Sequence, residues 1–136
     1  MNAPEKIVYT AKAEITGGRD GRGTTDAGMV DVNLRTPKEQ GGPGGGANPE
    51  QLSAVGYGAC FRSALDLAGK ELDVDTTDAV VNSEVGIGKQ GESFGLSVDI
   101  PGVEQKTAQA VADRTHELCP YSKAIRGNIP VEITAV

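Results

Sequence analysis

Residues 48–69 read NPEQLSAVGYGACFRSALDLAG, and this stretch predicts the central helix of the fold. Asn48 can cap the helix, Pro49 suits its first position, and Glu50 complements the positive end of the helix dipole. Small and apolar residues then recur every three or four positions as far as about Gly69, as in a helix packed in a protein interior. The sequence therefore predicts one long buried helix.

Two glycines and a cysteine stand near the middle of this helix, at Gly56, Gly58 and Cys60. A glycine inside a helix costs about 1 kcal/mol relative to alanine. We therefore expect another element of the structure to approach the helix closely at the two glycines.

On the amino-terminal side of the helix, alternating apolar and polar residues predict two strands that pair with each other. The first alternation covers residues 7–15 and the second covers residues 30–34, with a glycine-rich turn at residues 17–23 between them. Residues 36–47 read TPKEQGGPGGGA, which predicts a flexible loop.

On the carboxyl-terminal side, the same periodicities predict two strands, a second helix and a final strand, at residues 79–88, 94–100, 104–119 and 129–133. A polar turn at residues 89–92 joins the first two of these strands, and Pro120 is expected to stop the helix. The order of elements predicts an α+β fold, in which β-sheets pack on two main helices.

The composition excludes several classes of protein. A chain of 136 residues suits one domain, residues 1–136. Its 19 acids and 13 bases give a net charge of −6, which disfavours nucleic acid as a partner because phosphate binding needs a basic surface. No apolar run approaches the roughly 20 residues that span a bilayer, so we expect no membrane partner. The amino-terminal residues lack the layout of a secretory signal, and we therefore expect a cytoplasmic location.

The two cysteines, Cys60 and Cys119, lie on the apolar faces of the two predicted helices. A helical cysteine is most often a small buried hydrophobic side chain without reactivity. The alternative is a reactive pair, because both thiols are directed toward the same expected core. The residues alone leave both alternatives open, since they do not show how close the two thiols come.

A reactive Cys60 needs a group that lowers its pKa, because burial in apolar surroundings raises the pKa of a thiol. An arginine is the best candidate because it keeps its charge in a dry site, and Glu50 could hold such an arginine in a bidentate ion pair. The alternative is that Arg19 and Arg22 are solvated turn residues and that Glu50 serves only the helix end. The candidate arginines are Arg19, Arg22, Arg62 and Arg126.

Metal and phosphate sites are both disfavoured. Cys60, Cys119 and His116 are the only soft metal ligands, they lack paired short spacings, and His116 falls off the apolar stripe and is expected to be exposed. The glycines of residues 41–46 precede a helix, yet no Lys-Ser/Thr follows them as in a P-loop. We therefore predict no metal and no bound cofactor.

Five blocks of sequence resemble the OsmC/Ohr superfamily. Two of them, NPEQL and CPYS, are similar to the organic hydroperoxide resistance (Ohr) branch, and the resemblance runs from about Tyr9 to Val136. The blocks are GGRDGR at residues 17–22, TPKE at 36–39, NPEQL at 48–52, GYGACF at 56–61, and CPYS at 119–122 with RGN at 126–128.

The resemblance implies a thiol-dependent peroxidase that reduces organic or fatty-acid hydroperoxides to alcohols. It assigns the peroxidatic cysteine, which forms a sulfenic acid, to Cys60, and the resolving cysteine, which forms a disulfide with it, to Cys119. The family's arginine falls on Arg19 and its glutamate on Glu50. The resemblance also implies an intertwined homodimer and reduction by an external dithiol, the dihydrolipoyl group of a lipoylated protein.

The chain departs from the family pattern in two places. The segment of residues 94–101 is a few residues shorter than usual, and Lys123 and Ile125 replace small polar residues. Two other functions stay open: a redox-sensing or ligand-binding module of the same fold without turnover, and an OsmC-type peroxidase with a broader choice of peroxides.

Overall fold

Residues 48–69 form most of the longest helix of the protein, α1 (Pro49–Glu71), as predicted. The computed structural model describes residues 3–136. The chain divides into two compact units, of which one ends at Pro49 and the other begins at Glu50. The single domain over residues 1–136 stays a prediction.

The unit that ends at Pro49 contains a three-stranded antiparallel sheet with the strand order β1-β2-β3. The strands are β1 (Ala13–Thr16), β2 (Arg22–Thr25) and β3 (Asp31–Asn33). The predicted pairing of the first alternation with the second was wrong, because β2 lies between β1 and β3. β2 reads RGTT and has no large apolar residue, so hydrophobic alternation could not reveal it. The first strand is also shorter than predicted, since residues 7–12 are not in a strand.

The turn between β1 and β2 depends on glycine. Gly17 and Gly18 have φ angles of 71° and 57°, in the left-handed region that glycine adopts without strain. A Cβ atom at Gly21 would collide with the carbonyl oxygen of Thr16, so this position admits no side chain. The turn places Arg19 in one turn of 3₁₀-helix between two strand ends.

Residues 36–47 form the predicted loop, interrupted by one 3₁₀ turn at Lys38–Gln40. Leu34 and Ala47 form an isolated bridge across its two ends. Leu34 is buried, and the loop therefore returns to the sheet of its own unit before α1 begins.

The unit that begins at Glu50 contains a second three-stranded sheet, in the order β4-β5-β6. β4 and β5 form an antiparallel hairpin, and β6 runs parallel to β5. The hairpin turn is tighter than predicted, because β5 already begins at Gly91. The strands are β4 (Val80–Gly88), β5 (Gly91–Asp99) and β6 (Val131–Ala135), and the helices after α1 are α2 (Gln105–Leu118) and α3 (Pro120–Ile125).

The core of this unit is formed by one side of α1, the inner faces of the sheet and the apolar face of α2. Its members are Tyr57, Phe61, Ala64, Leu65, Ala68, Ala79, Leu96, Val98, Ile100, Ala108, Val111, Ala112, Cys119 and Ala135. The two glycines near the middle of α1 are approached closely, as predicted. A Cβ at Gly56 would lie 3.4 Å from the hydroxyl oxygen of Tyr121, and one at Gly58 would lie 3.3 Å from Cβ of Ser83.

The short helix α3 was not predicted. Pro120 ends α2 as expected, but it also occupies the first position of α3, where its missing N–H is no loss. Cys119 is the single residue between the two helices, with φ −65° and ψ 124°. The structure therefore confirms the α+β fold with two sheets and adds a third helix.

Among residues 3–136, no helix combines the length and the apolar character that crossing a membrane requires.

Candidate active site

The two cysteines lie side by side although they are far apart in sequence. Cys60 projects from the middle of α1, and Cys119 lies at the junction of α2 and α3. Both are free thiols, and the Cys119 thiol donates to the sulfur of Cys60 with an Sγ–Sγ distance of 3.6 Å. A disulfide requires about 2.05 Å, so the two sulfurs are in contact without being bonded.

The two thiols differ in their access to solvent. Cys119 is 0% exposed, whereas Cys60 is partly exposed. Cys60 is therefore the more accessible of the two thiols to a reagent from solution.

The local surroundings raise the pKa of Cys60. Burial is the largest cause, and the neighbouring Cys119 sulfur also raises it. The backbone N–H of Tyr121 donates to the Cys60 sulfur and acts in the opposite direction. A Cys60 thiolate near neutral pH therefore needs a positive charge in addition to these groups.

Two of the four candidate arginines are held by other partners. Arg22 forms a bidentate ion pair with Asp31, with N–O distances of 2.8 Å and 2.6 Å. Arg62 donates from Nη1 to Asp66 and from Nε to the carbonyl oxygen of Ala79, both at 2.8 Å. Neither guanidinium is available to Cys60 while these contacts persist.

Arg19 lies in a turn that is tied to the loop of its own unit. The Asp20 carboxylate accepts two hydrogen bonds from Thr36, one from the backbone N–H and one from the hydroxyl, each at 3.0 Å. These bonds hold the pKa of Asp20 below its usual value. Arg35 donates to the carbonyl oxygen of Gly21 at 3.1 Å and fixes the other side of the turn. The turn thus holds the backbone around Arg19 in one conformation.

Glu50 lies in the first turn of α1 and is 8% exposed. A carboxylate with so little contact to water requires cationic or hydrogen-bonding neighbours. An interaction with the helix dipole alone does not explain the burial of Glu50, because a carboxylate can interact with the dipole while it is exposed to solvent.

A buried chain of hydrogen bonds lies behind the thiols, and sequence reasoning missed it. The Ser122 hydroxyl is 2.6 Å from the Tyr57 hydroxyl and 2.8 Å from Nδ1 of His116. The prediction that His116 is exposed was wrong, because it is partly buried and takes part in this chain. Arg126, the fourth candidate arginine, donates to the carbonyl oxygen of His116 at 2.8 Å. The sequence feature that could have indicated this chain is the spacing of His116 and Ser122, which each stand three positions from Cys119.

Within the described part of the chain, no group of three or more His, Cys, Asp or Glu side chains is arranged to hold a metal ion. Of the two residues that depart from the family pattern, Lys123 is exposed, whereas Ile125 packs against the core. The shortened segment is paired with β4 along its length as far as Asp99.

The fold and the paired thiols define a small α+β protein with a two-cysteine site. The family profile described as "OsmC-like protein" matches residues 42–134. The chain is 44% identical over 140 residues to the organic hydroperoxide resistance protein of Xanthomonas axonopodis pv. citri, an alignment that covers 98% of this chain and 99% of that one. The chain belongs to the OsmC-like protein family.

Solved structures agree with this assignment. The crystal structure of the organic hydroperoxide resistance protein OhrB of Bacillus subtilis superposes with a TM-score of 0.86 at 36% identity, covering 96% of this chain and 100% of that one. The crystal structure of an organic hydroperoxide resistance protein from Elizabethkingia anophelis gives a TM-score of 0.86 at 43% identity, covering 96% and 97%. The predicted resemblance to this family is confirmed.

Proposed function

We propose that this protein is a cysteine-based peroxidase that reduces organic hydroperoxides to alcohols. The observation that carries the proposal is the 3.6 Å contact between the partly exposed Cys60 thiol and the buried Cys119 thiol. The names of relatives at 44% and 36% identity, organic hydroperoxide resistance proteins, support this class of substrate.

In the first step, the Cys60 thiolate attacks the terminal oxygen of the hydroperoxide ROOH. An S–O bond forms and the O–O bond breaks, so that the sulfur is oxidised by two electrons and the peroxide is reduced. The alkoxide takes up a proton and leaves as the alcohol ROH, and Cys60 becomes a sulfenic acid.

In the second step, the Cys119 sulfur attacks the sulfur of the Cys60 sulfenic acid. An S–S bond forms, the S–O bond breaks, and the hydroxide combines with the Cys119 proton and leaves as water. The sulfurs must approach from 3.6 Å to the bond length of about 2.05 Å, a movement of about 1.5 Å. Such a short movement favours disulfide formation over further oxidation to the irreversible sulfinic acid.

Arg19 is proposed to stabilise the Cys60 thiolate, with Glu50 holding the arginine. Support comes from the raised pKa of Cys60, which requires a compensating cation, and from the occupied guanidinium groups of Arg22 and Arg62. The burial of Glu50 suits a carboxylate that pairs with arginine, since such bidentate pairs remain stable in a dry site.

The side chains near the thiols favour an apolar substrate. The ring of Tyr57 packs against the rings of Phe94 and Tyr121, with centroid distances of 5.8 Å and 5.9 Å. Tyr121 is half exposed, so part of this aromatic surface is open to solution. An alkyl or fatty-acid hydroperoxide gains apolar burial here that hydrogen peroxide does not.

The protein is proposed to act as an intertwined homodimer. The large apolar residues Leu52, Val55 and Leu67 lie on one side of α1 and are exposed, Val55 to 72%. Large apolar residues gathered on an exposed surface indicate a site of protein–protein contact. In the first sheet Ile15 is exposed, and Val30 is exposed in the turn that precedes β3. A second copy of the chain is the occupant we propose for these surfaces.

The disulfide is proposed to be reduced by an external dithiol, the dihydrolipoyl group of a lipoylated protein. The external thiol attacks Cys60, because Cys119 is inaccessible, and Cys119 leaves as the thiolate. No bound cofactor takes part in this cycle, and the cytoplasm, which keeps thiols reduced, is the location proposed for it.

The test is turnover of cumene hydroperoxide with dihydrolipoamide by the wild type, Cys60→Ser and Cys119→Ser. We expect no turnover by Cys60→Ser, and by Cys119→Ser a single oxidation followed by inactivation. Full activity of Cys60→Ser would overturn the mechanism. Disulfide formation without catalytic reduction would favour the redox-sensing module, and equal rates with hydrogen peroxide would favour the broader OsmC-type peroxidase.

A further inference from the structure

The Ser122 hydroxyl joins the residues that stand one helical turn before each cysteine. Tyr57 precedes Cys60 by three positions on α1, and His116 lies in the last turn of α2, three positions before Cys119, which follows that helix. Residues three apart lie on the same face of a helix. The bonds from Ser122, at 2.6 Å to Tyr57 and 2.8 Å to His116, therefore connect the two thiol-bearing segments directly.

We propose that Ser122, held between Tyr57 and His116, is a positioning residue that keeps Cys119 against Cys60 and so determines how fast the Cys60 sulfenic acid is trapped. This proposal rests on the peroxidase function proposed above. It concerns the step after peroxide attack and assigns Ser122 no contact with the substrate. We name the hydrogen-bonded group Tyr57, Ser122 and His116 the serine clamp.

The serine clamp is complete in its hydrogen bonding. A hydroxyl offers one proton and two acceptor positions, so Tyr57 can donate to Ser122 while Ser122 donates to Nδ1 of a neutral His116. Burial and the nearby Arg126 lower the pKa of His116, against the smaller opposing effects of Asp113 and Glu117. The neutral ring that accepts from Ser122 is thus the favoured form.

The position of the clamp connects it to both sulfurs. Ser122 is buried in α3, the helix that begins directly after Cys119. Its chain neighbour Tyr121 donates its backbone N–H to the Cys60 sulfur. A displacement of α3 therefore changes the contact between the sulfurs and the hydrogen bond to Cys60 together. Because Ser122 is 0% exposed, water cannot replace its bonds without opening this packing.

The measured quantity is the partition of Cys60 between disulfide and sulfinic acid at a fixed excess of cumene hydroperoxide, read by mass spectrometry after rapid quenching. Ser122→Ala removes both bonds of the clamp. We expect its rate of sulfenic acid trapping to fall about tenfold, the factor that corresponds to about 1.4 kcal/mol, or one hydrogen bond. The rate of the preceding peroxide attack should change less than the trapping rate, because α3 affects the attack through the Tyr121 hydrogen bond to Cys60, whereas trapping also needs the contact between the two sulfurs.

Variants of Tyr57 and His116 keep the test informative if Ser122→Ala does not fold. Tyr57→Phe removes one bond and keeps the ring, and it should raise the sulfinic fraction. His116→Asn places an amide oxygen near the position of Nδ1 and can still accept from Ser122. Its ratio of disulfide to sulfinic acid should therefore lie closer to that of the wild type than the ratio of His116→Leu does. Ser93→Ala, at an exposed hairpin position, is the matched control and should behave as the wild type.

Each outcome has a distinct meaning. If the folded variants of Tyr57 and Ser122 partition as the wild type does, while the wild type forms the disulfide and turns over, the clamp proposal is wrong and the peroxidase proposal stands. If the wild type forms no disulfide between Cys60 and Cys119 under peroxide, the peroxidase proposal itself fails. If the variants change the midpoint of unfolding but not the ratio of disulfide to sulfinic acid, the serine clamp contributes to stability alone and its positioning role is overturned.

Discussion

Replacing Arg62, which stands two residues after Cys60, tests whether this arginine stabilises the fold or activates the Cys60 thiol. Its guanidinium donates at 2.8 Å to the carbonyl oxygens of Ala79 and Thr76 and to the carboxylate of Asp66. These bonds connect the carboxyl-terminal half of α1 to the start of β4. Arg62→Met keeps a long unbranched side chain and removes every one of the bonds.

The expected loss of stability is about 2 kcal/mol. The two bonds to carbonyl oxygens contribute about 1 kcal/mol each. The ion pair with Asp66 adds little, because the Arg62 and Asp66 side chains are 27% and 54% exposed and exposed pairs contribute about 0–1 kcal/mol. The rate of peroxide attack on Cys60 should stay within about twofold, since the guanidinium is directed to these partners.

Urea unfolding at a fixed protein concentration measures the free energy of unfolding, and stopped-flow mixing with cumene hydroperoxide measures the attack. Arg19→Met is the matched variant, with the opposite expectation of a rate at least about tenfold lower and little change in stability. An Arg62→Met protein that keeps its stability but loses its peroxide reactivity would refute the reasoning. It would make Arg62 the arginine that activates Cys60.

The remaining three predictions concern the pH dependence of stability, the activation of Cys60 and the assembly of the protein. Hydrogen bonds from Arg62 and Thr76 hold the pKa of Asp66 below its usual value, so this group stabilises the fold above the ordinary pKa of aspartate and the benefit disappears as the pH falls. The stability difference between the wild type and Asp66→Asn should therefore narrow in acid unfolding experiments, and a difference that widens would contradict this. Arg19→Ala should raise the pH midpoint of Cys60 alkylation by iodoacetamide, and an unchanged midpoint would exclude Arg19 as its activating cation. Val55→Glu should convert a dimer to a monomer in analytical ultracentrifugation, whereas a monomeric wild type would remove the basis of the dimer.

The sequence alone was sufficient to predict the long helix α1 and the approximate positions of the β4–β5 hairpin and α2. The start of the helix could be predicted because Asn48 and Pro49 act through their own local conformations. The close contacts at Gly56 and Gly58 could also be predicted, because a glycine inside a helix leaves room for a neighbouring element. β2 could not be predicted, because its sequence RGTT shows no apolar alternation. It forms a strand because it pairs with β1 on one side and β3 on the other.

The same distinction applies to the candidate site. Each cysteine could be placed on an apolar face from helical periodicity, but their 3.6 Å contact depends on how α1 packs on the junction of α2 and α3. His116 was expected to be exposed because it lies off the apolar stripe of α2. The short helix α3 covers that side and supplies Ser122 as its partner. A helix of six residues leaves little periodic signal in a sequence.

Pro120, which follows Cys119, affects the entropy cost of the proposed disulfide formation. A residue that precedes proline is disfavoured in helical geometry, and Cys119 accordingly has ψ 124°. The backbone that carries the second thiol is thus restricted in the unfolded chain as well as in the folded one. Part of the ordering that brings the two sulfurs together is therefore fixed by covalent structure before folding, and it does not have to be repeated in each cycle of the proposed peroxidase.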